Sequence, residues 1–128
     1  MKTPTVNIHG KEYVMVKDRI VAFYNAYPYG CIRTELVDYK DGDWIVKAYC
    51  FTNPNEHPET YCTGLAHESH GSSQINQTSA LENCETSAVG RCLAMAGFGT
   101  EESIASAEEV KNAIHQQGHS TPNKALAR

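Results

Sequence analysis

Thr78-Ser79-Ala80-Leu81-Glu82-Asn83-Cys84-Glu85-Thr86-Ser87-Ala88-Val89-Gly90-Arg91-Cys92-Leu93-Ala94-Met95-Ala96-Gly97 reads as one helix with both ends written into it. Ser79 can accept from the free amides of the first turn, and Glu82, three residues on, can reach back to the cap amide. Gly97 supplies the left-handed residue at which helices end. The rod between them is roughly 25 Å long at about 1.5 Å per residue. Leu81, Cys84, Ala88, Cys92 and Met95 recur at three- and four-residue steps as one apolar stripe, which Val89, Leu93 and Ala96 widen toward the C-terminal end. Gly90 costs about 1 kcal/mol relative to Ala inside a helix, so a close neighbour is expected against its bare backbone. Arg91 is the only Lys or Arg between Lys47 and Lys111. It either joins a carboxylate such as Glu82 or Glu85 in an ion pair or faces a ligand.

Upstream of this helix the period changes from 3.6 to 2. Cys31 to Tyr39 alternates, with Ile32, Thr34 and Leu36 on one face and Arg33, Glu35, Val37 and Tyr39 on the other. Lys40-Asp41-Gly42-Asp43 is a hairpin turn, because Asp-Gly accepts positive φ. Trp44 to Thr52 returns, with Trp44, Val46, Ala48 and Cys50 opposite Ile45, Lys47, Tyr49 and Phe51. After the loop Asn53 to Pro58, Thr60 to His67 forms a third strand. The natural product is an antiparallel meander. Ala48, Cys50, Cys62, Gly64 and Ala66 make a flat, small-residue face on which a helix carrying Ala88, Gly90 and Cys92 can lie closely. That leaves Lys47, Tyr49, Phe51 and Tyr61 on the far side, an aromatic face suited to cover by a neighbouring subunit.

Further out, Val16, Ile20, Phe23 and Tyr27 step as a helical face that Pro28 ends. Arg19 lies off that stripe, with Lys17 nearby, and Tyr29 sits in the exit turn. Residues 1–14 suggest a short strand or arm, and Glu68 to Gln77 a Gly/Ser-rich loop. Ser106-Ala107-Glu108-Glu109 opens a second, short helix with a capping box. From Gly118 onward no period is visible. The expected organisation is α+β: an N-terminal helix, a three-stranded antiparallel meander, a long central helix packed on the sheet, and a short C-terminal helix. Residues 1–117 form the domain and 118–128 a disordered tail.

The totals agree with one soluble domain: 128 residues, 41% hydrophobic and 20% charged. No apolar run approaches the ~20 residues that span a bilayer, and no signal core follows Met1. The expected location is therefore a cytoplasm. Five cysteines without a C-x-x-C pair read as small reduced thiols. The net charge of −4 confines any polyanion to a local basic stripe.

Among chemical candidates, His67-Glu68-Ser69-His70 has the wrong spacing for a zinc-protease helix. A metal-dependent hydrolase built from His57, Cys62, His67 and His70 stays open only if the fold gathers them. No phosphate-cradling loop ends in Lys-Ser or Lys-Thr, and the pairs Glu101-Glu102 and Glu108-Glu109 suit solvated faces or helix starts. What remains is a basic and aromatic set: Lys17, Arg19, Tyr29, Arg33, Lys47 and Arg91. Guanidinium groups clamp phosphates and tyrosine rings receive unstacked bases.

The stretch Ser79 to Gly99, followed by Ile104-Ala105-Ser106-Ala107-Glu108-Glu109-Val110, resembles phage single-strand annealing proteins, the Sak and Erf-type recombinases related to the eukaryotic Rad annealing protein. The resemblance spans roughly Val14 to Val110, and the strands match mainly in order and length. It implies a ring or filament of subunits, each a helix, a meander and a long helix, with single-stranded DNA in a groove. Arg19, Tyr29 and Arg91 fall where that family lines its groove, although its eukaryotic branch carries more cations on the long helix. The implied function is ATP-independent binding and annealing of complementary strands in recombination, without catalysis or cofactor. Implied partners are single-stranded DNA, further copies of the chain, and replication or recombination proteins reached through the tail. A single-strand-binding accessory protein without annealing activity is the alternative.

Overall fold

A computed structural model describes residues 3–70 and 76–127. The chain opens with a hairpin, β1 (Thr5–Ile8) and β2 (Lys11–Val14), where the sequence suggests only an arm. Its two-residue loop places His9 at φ 52° and Gly10 at φ 86°, the paired positive angles of a type I′ turn. Helix α1 (Val16–Ala26) follows and ends before Pro28, as expected. Met15, at its N-cap, makes no side-chain capping bond. A distant carboxylate replaces it: Val16 N–H donates to Glu108 at 3.0 and 3.2 Å. An acid at a helix start also suits the macrodipole.

The meander is β3 (Cys31–Lys40), β4 (Asp43–Phe51) and β5 (Tyr61–Ser69), antiparallel in that order. Asp41 and Gly42, at φ 53° and 87°, form the expected turn. The register shifts between Leu36 and Asp38, so a bulge at Val37 returns Tyr39 to the side of Trp44, opposite the face that strict alternation assigns it. Tyr39 and Trp44 then meet as a tilted pair with ring centroids 4.0 Å apart.

Helix α2 (Asn76–Met95) lies across β4 and β5. Its backbone departs from helical geometry at Ser79 (φ −139°), so the uninterrupted helix begins where the sequence sets its cap. Gly97, at φ 93°, ends it, with Phe98 N–H donating to the Leu93 carbonyl at 2.9 Å as in a Schellman turn. Val46, Ala48 and Cys50 bury against Cys84, Ala88, Cys92 and Leu93. The approach is closest at Gly64, where a Cβ would stand 2.6 Å from the Ala88 carbonyl oxygen and 2.8 Å from Cys92 Cα. At Gly90 the expected neighbour is Val16, whose Cγ2 would lie 2.8 Å from an added Cβ.

Helix α3 (Ala107–Ala127) opens on the expected capping box: Glu109 N–H donates to Ser106 Oγ, and Ser106 N–H to Glu109 Oε1, each at 3.2 Å. The helix extends to Ala127, over the residues that the sequence suggests are a tail. Of the loop expected from Glu68 to Gln77, Glu68 and Ser69 belong to β5, Asn76 and Gln77 to α2, and residues 71–75 fall outside the described residues.

Candidate nucleic-acid interface

The two helices α1 and α2 cover one face of the sheet and leave the other open. On the open face, cross-strand partners line up as Arg33 with Tyr49, Glu35 with Lys47, Tyr49 with Thr63, and Phe51 with Tyr61. Three rings meet there. Tyr49 and Phe51 stack at 6.1 Å, Tyr61 meets Tyr49 at 5.4 Å, and Tyr61 meets Phe51 at 5.0 Å between centroids. Arg33 lies over the Phe51 ring at 5.4 Å and Lys47 over Tyr49 at 5.0 Å, both within cation–π range. The Tyr49 hydroxyl donates to Glu35 at 2.8 Å, and that bond raises its pKa above the ordinary phenol value. Tyr61 is 47% exposed and is the ring most open to a ligand. A shallow pocket of about 360 Å³ runs between Arg33, Glu35, Tyr49 and Phe51. Phe51 is buried under Arg33, while Tyr49 and Tyr61, beside cations that make no ion pair among the described residues, suit a base on the ring and a phosphate next to it.

The predicted set of six does not converge into one channel. Arg33 and Lys47 share the open face, two strands wide. Arg19 is fully buried in the helix layer, although off the apolar stripe of α1. Its Nη1 donates to the Gly90 carbonyl at 2.9 Å, and its Nη2 to Gly99 at 3.1 Å and Ser103 at 3.0 Å. Burial draws its pKa below the ordinary value, while Glu109, Glu108 and Glu101 oppose that shift. A guanidinium so enclosed has no surface for a phosphate. Arg91 is held by Glu109 of α3 at 3.4 Å, on the side of the protein away from Arg33. Lys17 pairs with its neighbour Asp18 at 3.2 Å. Tyr29 is 76% exposed in the turn between α1 and β3.

Tyr49, Phe51 and Tyr61 share the open face with Arg33 and Lys47, the far face on which strand alternation places them. Among the metal candidates, Cys62 turns toward the helices and His67 toward the open face, since five residues on one strand separate them. Among the described residues no group of three His, Cys, Asp or Glu side chains is placed to hold a metal ion. No described helix is long and apolar enough to cross a membrane.

One protein family matches this chain: its description is Slr1353 N-terminal dsRNA-binding domain-like, and the match covers residues 20–96. Those residues run from the first turns of α1 through the meander to the end of α2, leaving out the β1–β2 hairpin and α3. No curated protein and no solved structure matches the chain. The match overturns the resemblance to Sak and Erf-type annealing proteins. A helix, a meander and a long helix fill the matched stretch of this chain in that order, and the resemblance rested on the same element order and strand length. The small residues of α2 that carried the resemblance answer to Gly64, against which they pack. With the resemblance go the supports for recombination, annealing and a ring. The matched stretch is well over half of the sequence, and the chain belongs to the Slr1353 N-terminal dsRNA-binding domain-like family.

Proposed function

We propose that the chain binds nucleic acid, and that it receives an unpaired strand on the open face of its sheet in a role without catalysis. The observation that supports this is the cluster of Tyr49, Phe51 and Tyr61 with Arg33 and Lys47 laid over its rings. Bases stack on such rings with little regard to sequence, each worth about 1–3 kcal/mol, and two cations track the phosphates. The overall charge of −4 limits binding to this patch.

The family description supports a second reading, binding of double-stranded RNA. A duplex is held by phosphate and 2′-hydroxyl contacts spread over about 16 base pairs. The helix layer offers Glu82, Glu85 and Glu108 beside Lys17 and Lys111, and its Arg91 already meets Glu109, which favours the open face instead.

Fluorescence anisotropy with labelled single-stranded RNA, single-stranded DNA and duplex RNA separates the two. On our reading single strands bind best, Tyr61→Ala weakens them roughly 5- to 150-fold (about 1–3 kcal/mol), and Arg91→Ala changes little. Two phosphate contacts give a log–log salt slope of roughly −1.4, at about 0.7 per contact. Preference for the duplex, or indifference to Tyr61→Ala and Arg33→Ala together, would refute the open-face reading.

A further inference from the structure

The sheet ends at β3, which pairs with β4 on one side and with no other strand among the described residues. Ile32 N–H turns away from β4 and donates to the Tyr24 hydroxyl at 3.2 Å. Backbone groups alternate along a strand, so Thr34 and Leu36 also present their amides and carbonyls to this free edge. Leu36 is 53% exposed. Beside the edge runs a groove of about 460 Å³ between α1, β3 and α2, lined by Val16, Ile20, Ile32 and Val89 together with the charged Lys17, Glu85 and Glu108.

We infer that β3 is the contact strand of a symmetric dimer, pairing antiparallel with β3 of a second copy about a two-fold axis at Thr34. The sequence Ile32-Arg33-Thr34-Glu35-Leu36 is its own complement when reversed. Thr34 meets Thr34 of the second copy. Arg33 faces its Glu35, and Glu35 its Arg33, on the open side of the sheet. Ile32 faces its Leu36 on the helix side, which brings each Leu36 toward the apolar groove of the opposite copy. Opposite charges and paired apolar side chains directly across an antiparallel ladder are stabilising, and like charges are not. Centring the axis on Arg33 or on Glu35 sets like charges face to face, which disfavours those two registers. The Thr34 hydroxyl is already fixed by Glu85 at 2.6 Å. The bulge at Val37 stops the ladder just past Leu36, so the contact is isologous and closes at two copies. The charge complementarity selects a second copy as occupant; the contact draws on Arg33, which the nucleic-acid reading also uses, and is therefore tested without nucleic acid.

Sedimentation of the full chain without nucleic acid, from low to high micromolar concentration, tests it. A dimer is expected. Arg33→Glu and Glu35→Arg each place two like-charge pairs in the contact and weaken it about tenfold or more. An equal mixture of the two variants restores dimers, as does the double variant, because the charges are again opposed. Thr34→Pro removes an amide that faces the free edge and not β4; it yields monomers with an unchanged circular dichroism spectrum. A monomer at every concentration, a dimer indifferent to both charge changes, or a species that grows beyond two copies would overturn the inference.

Discussion

Replacing Arg19 by Met separates a structural arginine from a ligand-binding one. The substitution keeps the length and apolar stem of the side chain and removes three hydrogen bonds, to the carbonyls of Gly90, Gly99 and Ser103. Gly90 keeps its place in the ladder of α2. Gly99 and Ser103, in the turn between α2 and α3, lose the guanidinium that holds them. An orphaned buried acceptor costs about 1–3 kcal/mol, and bonds to charged groups lie toward the upper part of the range. The expected loss is therefore about 3–5 kcal/mol, a large share of the roughly 5–15 kcal/mol that holds a domain of this size together. At about 4 °C per kcal/mol the melting temperature falls by roughly 12–20 °C. Thermal and urea unfolding followed by circular dichroism read this directly. Arg19→Lys should recover only part of the loss, since one ammonium cannot reach three carbonyls set around a planar fork. A variant that melts within about 3 °C of the native chain yet binds nucleic acid poorly would refute the structural role.

Two further outcomes follow from single contacts. Gly64→Ala should cost at least about 3 kcal/mol, beyond the ordinary overpacking range, because the new methyl meets helix backbone at Ala88 and Cys92; Gly97→Ala, with open space around it but φ at 93°, should cost only about 1 kcal/mol. Asp43 accepts from Ser69 Oγ and lies 3.5 Å from His67, and the Ser69 bond chiefly lowers its pKa from 3.8. A carboxylate with a depressed folded-state pKa stabilises the fold above its unfolded value and loses that effect as pH falls through the folded one. The stability gap between the native chain and Asp43→Asn, measured by urea titration, should thus narrow on going from neutral pH to below 3.8.

The elements were legible where a local pattern dictates them. The four-residue steps of Val16 to Tyr27, the Asp41-Gly42 turn and the Ser106–Glu109 box each carry their own geometry. The flat contact was legible too, because only small residues at Gly64, Ala88 and Cys92 allow it. Arg19 was not. A single cation beside an apolar stripe reads as a surface residue, and what buries it are carbonyls some seventy to eighty positions away. The same holds for Arg91, whose partner Glu109 sits on another helix. A bulge such as that at Val37 leaves the residue types of a strand unchanged, so alternation ran one residue too far and misplaced Tyr39. His9-Gly10 does not announce its turn, because Asn or Asp more commonly precedes Gly where both central residues take positive φ.

The contact at Gly64 sets the mechanics of the opposite side of the sheet. Where side chains separate a helix from a strand, the gap can breathe as rotamers exchange. Here main chain rests on main chain, so β5 is backed by an incompressible support directly beneath Thr63 and Leu65, beside the rings of Tyr49 and Tyr61. A visitor landing on those rings meets an anvil already set in place, and little of its binding energy is spent on stiffening the receiver.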